Sequence, residues 1–164
     1  RAAVDAVFDW AESLARRGDE TEILTVDNHV DGVYLLMRLR ARKDPRADEV
    51  EALLKWNGGG LHSSGVGIGC IDPAGEVPPD QFWTHHSLGS VRDRPFSAIW
   101  SDESEPLLAG LRRRRERIHG RCAADRCRWF DHCGGSLRVR ADLACGDPFA
   151  PDPACYLTDE EIAR

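Results

Sequence analysis

The sequence predicts an α/β fold in two parts, on three observations. A helix–strand–helix–helix order fills residues 1–57, glycines and serines crowd residues 58–65, and a hairpin pattern followed by clustered cysteines fills residues 66–164. The chain has 164 residues, 41% hydrophobic and 30% charged, which is the composition of a globular protein. We expect the first part to be the end of an α/β domain and the second to be a small α+β domain.

The first part contains three predicted helices and one strand. Apolar residues at helical spacing predict helices over residues 4–14 and 33–41, and a cap-then-proline order opens a third over residues 44–57. Between the first two helices, the apolar run Ile23–Val26 predicts a short strand.

The second part begins after a stretch, residues 58–65, that we expect to be a flexible boundary. A hairpin is predicted in which Val66–Asp72 pairs with Glu76-Val77, and Pro78-Pro79 ends the pairing because proline cannot donate to a ladder. A helix is predicted over Leu107–His119. The cysteine-rich segment after it has little apolar periodicity, so we expect a bound group to organise it.

Both ends of the sequence predict a piece of a longer protein. The chain starts at Arg1 without methionine, and Thr158–Glu161 has the pattern of a capping box that opens a helix just before the last residue. No charged segment followed by an apolar one signals export.

Composition limits which binding partners and which cellular compartment we expect. The net charge of −6 gives no reason to expect nucleic acid or an anionic membrane, and no apolar run is long enough to span a bilayer. Six cysteines would suffice for three disulfides in a secreted protein, but a chain of this length does not need them to form a core. We expect a cytoplasmic protein whose clustered thiols bind metal.

Three of the cysteines, Cys122, Cys127 and Cys133, form a C-x4-C-x5-C pattern, and Cys155 follows at a distance. Three close thiolates and one remote one are an arrangement that iron–sulfur clusters use. Zinc is the main alternative, although its sites usually take cysteines in two close pairs. Buried or disulfide-bonded cysteines without metal are the third interpretation.

Several segments resemble radical S-adenosylmethionine (SAM) enzymes that carry a C-terminal SPASM/twitch-type domain, and among them the NirJ-type proteins of haem d1 biosynthesis. The resemblance extends from about Glu22 to Ile162. It is carried by the cysteine run and by the segments Gly69–Val77, Pro79–Trp83, Leu88–Val91, Phe96–Trp100 and Gly146–Tyr156.

The resemblance implies the closing elements of a partial radical SAM (β/α) barrel, followed by one auxiliary 4Fe–4S cluster on Cys122, Cys127, Cys133 and Cys155. It implies an enzyme that removes propionate side chains from didecarboxysiroheme, an iron tetrapyrrole, with a ferredoxin or flavodoxin as electron donor. SAM and a second 4Fe–4S cluster would be held by a preceding part. This sequence contains no C-x3-C-x2-C motif for that cluster, so we expect no activity from it alone.

Departures from the family pattern limit these expectations. Asp80 and Leu137 stand where members with two auxiliary clusters carry cysteines, which predicts a single auxiliary cluster. The family's C-x2-C opening is C-x4-C here. Cys145 is an alternative fourth ligand, and Cys70 is predicted to be a small core residue.

Other polar residues are candidates for substrate contact. Asn28 and His29 follow the predicted strand, where barrel active sites are built, although a helix cap by Asn28 or Asp31 is the favoured interpretation. His85-His86 is interpreted as a polar surface loop rather than an iron ligand. The basic run Arg112–Arg115 is interpreted as a solvated helix face. Its alternative is binding of tetrapyrrole carboxylates, together with the nearby Arg117, Arg121 and Arg128.

Three other functions stay open at this point. They are a radical SAM enzyme of the siroheme-dependent alternative haem route, a non-catalytic iron–sulfur electron-transfer module, and a zinc-organised interaction domain.

Overall fold

The computed structural model describes residues 1–163, and its architecture is helical. Three longer helices come first, α1 (Ala2–Arg16), α2 (Val30–Ala41) and α3 (Ala47–Asn57), followed by a 3-10 turn at Gly59–His62. Shorter helices follow: α4 (Phe96–Trp100), α5 (Pro106–Arg112), α6 (Arg114–Arg117), a 3-10 turn at Gly120–Cys122, α7 (Phe130–Cys133), α8 (Arg138–Cys145) and α9 (Asp159–Ile162). None of these helices combines the length and the apolar character needed to cross a membrane.

The largest core cluster joins both ends of the chain. Its α2 residues include Val33 and Leu36, which are fully buried, and they pack with Trp129 and Leu157 from the cysteine-rich segment. This core therefore includes residues from both sides of the predicted boundary at 58–65. The boundary segment is not the exposed, flexible stretch that we expected, because residues 58–60 and 63–65 are buried. The division into domains stays a prediction.

The predicted strands are wrong. Residues 23–26 are irregular, and Leu24 and Val26 are 70% and 72% exposed, without a neighbouring strand among the described residues. In place of a hairpin with residues 66–72, Val77 exchanges main-chain hydrogen bonds with Leu88 and Gly89, at 2.8 and 2.9 Å. The buried side chains of Val77, Leu88 and Ile99 explain this choice, because they share one apolar cluster.

The fold class therefore needs correction. The part of the chain that the structure describes holds three isolated β-bridges and no longer strand, so it is helix-rich rather than α/β. The partial barrel is not confirmed by this architecture.

The predicted helix over Leu107–His119 is also divided. It forms α5 and α6, which are separated at Arg113 by a non-helical backbone with φ −109° and ψ 36°. The break lets the Arg114 side chain turn into the interior, where it is 1% exposed. The predicted capping box is confirmed, and α9 follows it. The Thr158 side chain accepts from the Glu161 N–H, and the Glu161 side chain accepts from the Thr158 N–H.

Candidate cluster site

Four cysteines from four local elements line one apolar pocket between α2 and the loops that follow α6. Cys122 ends a 3-10 turn, Cys127 lies in the next turn, Cys133 ends α7, and Cys155 precedes α9. These are the four predicted ligands. The pocket is also lined by Val30, Val33, Arg121, Trp129, Phe130, Gly135, Ser136, Asp152, Leu157 and Ile162.

Left-handed backbone at three successive residues shapes the loop after Cys133. Gly134, Gly135 and Ser136 have φ values of 56°, 73° and 57°. A Cβ on Gly134 would lie 2.3 Å from the Leu61 nitrogen, so the close approach of two backbones requires glycine there. This turn closes with a 2.8 Å hydrogen bond from the Ser136 N–H to the Cys133 carbonyl, and it sets the direction of the Cys133 side chain.

Asp152 positions the remote cysteine. The Cys155 N–H donates to the Asp152 carbonyl at 3.1 Å, and the Ala154 N–H donates to Asp152 Oδ1 at 3.1 Å. The Asp152 carboxylate is 4% exposed and forms an ion pair with Arg140 at 2.7 Å. The turn that carries Cys155 is therefore fixed by both main-chain and side-chain contacts.

Burial controls the ionisation of these thiols. It raises the pKa of Cys133 to about 12, and the nearby charge of Cys127 adds to the effect. Burial also raises the pKa values of Cys127 and Cys155, and in both cases the charge of Cys122 contributes. The sulfurs are thus close enough to influence one another, and burial favours the neutral thiol at Cys127, Cys133 and Cys155.

Three arginines lie near the pocket, and of these the sequence singled out Arg114 and Arg121 as candidates for tetrapyrrole carboxylates but missed Arg138. Arg121 lines it and donates to the Cys155 carbonyl at 3.4 Å and to the Leu157 carbonyl. Arg114 and Arg138 are 1% and 0% exposed and donate to main-chain carbonyls. No local sequence pattern marks an arginine that will be buried, since an arginine is ordinarily exposed.

The donor set fits a thiolate-bound group. Four thiols in an apolar pocket are the ligands that iron–sulfur clusters and zinc use. Within residues 1–163, no group of three or more His, Cys, Asp and Glu side chains is arranged to hold a single metal ion. Ligation by these cysteines stays a prediction.

The remaining cysteines do not line the pocket, and neither do Asp80 and Leu137, the two positions that depart from the family pattern. Cys145 is exposed at the end of α8, and Cys70 is half-buried in a loop rather than in a strand. Asp80 is 2% exposed, where its carboxylate accepts from the Ser64 hydroxyl and, at 2.8 Å, from the Phe82 N–H. Leu137 packs in the cluster around Trp83.

Asn28 and His29 stand at the start of α2, but the predicted cap by Asn28 or Asp31 is wrong. The N-cap residue is His29, without a side-chain cap, and Asn28 Nδ2 donates to the Asp31 carboxylate at 2.9 Å. Burial and the charges of Arg114 and Arg140 lower the pKa of His29. Its backbone N–H donates to Ser136 Oγ at 3.3 Å, which places this segment beside the cysteine loop.

The histidine pair contacts separate carboxylates. His85 Nε2 lies 2.7 Å from Asp142 Oδ2, which also accepts from Trp83 Nε1 at 3.0 Å, and His86 Nε2 lies 3.4 Å from Glu105 Oε1. Both side chains are partly exposed, in agreement with a polar surface loop.

The basic run is mostly a structural feature. Arg112 donates to the carbonyls of Gly65 and Trp100, and Arg114 is buried, so the predicted solvated face is wrong for these two. Arg115 is exposed and pairs with Asp131. The run therefore does not form one free basic surface.

Known proteins resemble the chain closely. It is 51% identical over 99% of its length to the Fe-coproporphyrin III synthase of Methanosarcina barkeri. It is 42% identical over 98% of its length to the pre-heme d1 synthase of Dinoroseobacter shibae. The chain spans about two fifths of the length of these curated relatives, 40% and 39%.

No family model and no solved structure matches the chain. The predicted resemblance is nevertheless confirmed by these relatives: over nearly its whole length the chain is a homologue of an Fe-coproporphyrin III synthase and of a pre-heme d1 synthase.

Proposed function

We propose that this chain holds an auxiliary 4Fe–4S cluster on Cys122, Cys127, Cys133 and Cys155, within a radical SAM enzyme that modifies a tetrapyrrole. The observation that carries the proposal is the convergence of these four cysteines on one apolar pocket. Both relatives are named as tetrapyrrole synthases, which supports the substrate class. The bound cluster would supply electron transfer or substrate positioning, and the chain supplies four thiolates and a shell that excludes water.

SAM and the cluster that cleaves it would be bound by residues outside this sequence, because the sequence contains no C-x3-C-x2-C motif. The segment around Asn28 and His29 lies beside the cysteine loop and would face the substrate side of the site. A small electron-carrier protein, such as a ferredoxin or flavodoxin, would donate electrons to this enzyme.

Two reactions compete for the exact activity. Removal of propionate side chains from didecarboxysiroheme, giving the haem d1 precursor, follows the sequence resemblance and the relative at 42% identity. Synthesis of Fe-coproporphyrin III, in the alternative haem route, is favoured by the higher identity of 51% to the other relative.

Metal analysis tests the cluster. The protein would be produced and reconstituted anaerobically, and bound iron, sulfide and zinc would be measured for wild type, Cys155→Ser and the matched control Cys145→Ser. We expect about four irons and four sulfides at this site, lost in Cys155→Ser and kept in Cys145→Ser. Stoichiometric zinc without sulfide would replace the proposal with a structural zinc domain.

Product analysis then separates the two reactions. The full-length enzyme would be incubated anaerobically with didecarboxysiroheme, SAM and a reductant. The tetrapyrrole products would then be separated and identified by mass spectrometry. Fe-coproporphyrin III as product assigns the alternative haem route, whereas loss of the propionates assigns haem d1 biosynthesis. An unchanged substrate, with both clusters loaded, would contradict both assignments.

A further inference from the structure

Two arginine side chains lie fully inside the protein without a carboxylate partner. Arg138 is 0% exposed and Arg114 is 1% exposed. No carboxylate of the described residues lies within ion-pair distance of either guanidinium, although the exposed arginines nearby form such pairs, as Arg115 does with Asp131. Buried charges in proteins are ordinarily paired with an opposite charge.

Main-chain carbonyls satisfy most of their hydrogen bonds. Arg138 Nη1 donates to the Ala150 carbonyl at 2.7 Å and to the Pro148 carbonyl at 3.2 Å, and Nη2 donates to the Gly135 carbonyl. Arg114 Nη2 donates to the Ser64 carbonyl at 2.8 Å. These neutral acceptors orient the two groups but do not neutralise them, and Arg138 Nε is buried without a partner among residues 1–163.

The two cations also repel each other. Burial above all, together with the charge of Arg138, lowers the pKa of Arg114 to about 9, and the charge of Asp80 opposes this effect. Burial lowers the pKa of Arg138 as well, and the groups that oppose this effect are Asp152, Cys122 and Cys133. The buried carboxylates of this interior, Asp80 and Asp152, form no ion pair with either guanidinium, and Asp152 pairs with Arg140 instead.

The cysteine pocket lies directly beside the Arg138 guanidinium. Gly135 lines the pocket, and its carbonyl accepts from Arg138, so one residue separates the guanidinium from the pocket. A Cβ on Gly135 would lie 3.5 Å from the Arg138 guanidinium carbon, which shows how closely the two pack. A cluster with four thiolate ligands is a net anion, and reduction by one electron makes it more negative.

We propose that Arg138 is a positioning residue that acts as the fixed counter-charge of the cluster, with Arg114 behind it, and that it raises the reduction potential of the cluster. The inference rests on the proposed function, because it requires a cluster in the pocket. A cation in a low-dielectric interior stabilises the reduced, more negative cluster more than the oxidised one. The same charge stabilises the loaded protein relative to the metal-free one.

Redox titration of the full-length protein tests this inference. Wild type, Arg138→Gln, Arg138→Lys and the control Arg115→Gln would be reconstituted anaerobically and titrated under electron paramagnetic resonance. The relevant signal is the one that Cys155→Ser removes. Arg115 suits the control because it packs on Phe130, which lines the pocket, while its own charge is exposed and screened by solvent.

We expect a more negative potential in Arg138→Gln, a potential near that of wild type in Arg138→Lys, and no shift in Arg115→Gln. An unshifted Arg138→Gln, or an equal shift in Arg115→Gln, would overturn the inference while leaving the cluster in place. If Arg138→Gln binds no cluster, Arg138→Lys decides: loading at the wild-type potential supports the counter-charge, and failure to load assigns Arg138 a purely structural role. Wild type without iron and sulfide would instead refute the proposed function.

Discussion

Arg140 and Asp152 form a double ion pair at the edge of the cysteine pocket. Arg140 Nε lies 3.1 Å from Asp152 Oδ1, and Nη2 lies 2.7 Å from Oδ2. The same guanidinium donates to the Asp27 carbonyl at 2.6 Å and to Ser136 Oγ at 3.0 Å. One side chain therefore connects the segment before α2 with the turns that carry Cys133 and Cys155.

Removing the carboxylate of Asp152 should destabilise the protein strongly. Asp152→Ala leaves Arg140 without its charged partner and removes the acceptor of the Ala154 N–H. We expect a loss of about 2–4 kcal/mol in the free energy of unfolding of the loaded protein, measured by anaerobic denaturant titration. Asp93→Ala, at an exposed position, is the control and should change it by less than about 0.5 kcal/mol. Equal effects would mean that the ion pair contributes nothing.

Two glycines that both have left-handed backbone should lose different amounts of stability when each is replaced by alanine. Gly134 and Gly146 have φ values of 56° and 68°, but a Cβ on Gly134 would lie 2.3 Å from the Leu61 nitrogen, whereas one on Gly146 meets nothing within 4 Å. Gly146→Ala should cost about 1 kcal/mol for the left-handed backbone alone. Gly134→Ala should cost at least about 2 kcal/mol more and reduce cluster loading, since the Cys133 turn must shift.

Chemical denaturation and iron content would be measured for both variants. A similar cost in the two proteins would show that the contact between Gly134 and Leu61 relaxes freely, and that the loop after Cys133 is less constrained than its geometry indicates.

The helices and the cysteine set illustrate what sequence reasoning can reach. Helices α1 to α3 follow from apolar residues at a period of 3.6, a signal that is local to each segment. The spacing of Cys122, Cys127 and Cys133 left zinc and cluster open, and the choice of Cys155 over Cys145 came from the family resemblance. The structure brings Cys155 to the pocket and leaves Cys145 exposed.

The features that sequence reasoning missed depend on tertiary contacts. Val77 pairs with residues 88–89 because Leu88 and Ile99 bury it, and nothing within residues 66–77 encodes that partner. Arg114 belongs to a run of four arginines whose members have the same local propensity, yet it alone is fully buried. A helix-breaking backbone at Arg113 decides which one turns inward, and that backbone conformation is set by packing.

Acid should weaken the packing of α2, α3 and α7 through Glu51. Its carboxylate lies 2.9 Å from Lys55 Nζ and 3.1 Å from His132 Nε2, and it also contacts Arg40. Lys55 above all, with help from His132 and Arg40, lowers the pKa of Glu51 to about 2. Because the folded pKa lies below the unfolded one, this stabilisation is complete above about pH 4.5 and is lost as pH falls towards 2.

We therefore expect Glu51→Gln to remove about 1–2 kcal/mol at pH 7, allowing for solvent screening, and to flatten the loss of stability between pH 4.5 and 2. Tryptophan fluorescence during urea titration at several pH values measures the free energy of unfolding. Glu49→Gln, on the exposed side of the same helix, is the matched control. A Glu51→Gln protein with the same acid sensitivity as wild type would contradict the assignment.

The reactivity of the thiols should report the pocket directly. In the metal-free protein, Cys145 is exposed, whereas Cys133 is half-buried with its pKa raised to about 12, so only a small fraction of Cys133 is the reactive thiolate at pH 8. We expect iodoacetamide to label Cys145 at least about tenfold faster than Cys133, as followed by peptide mass spectrometry. Urea-unfolded protein, in which the two thiols are equally accessible, is the control. Equal rates in the folded sample would mean that the pocket does not persist without its bound group, and that the cluster itself organises the cysteine loop.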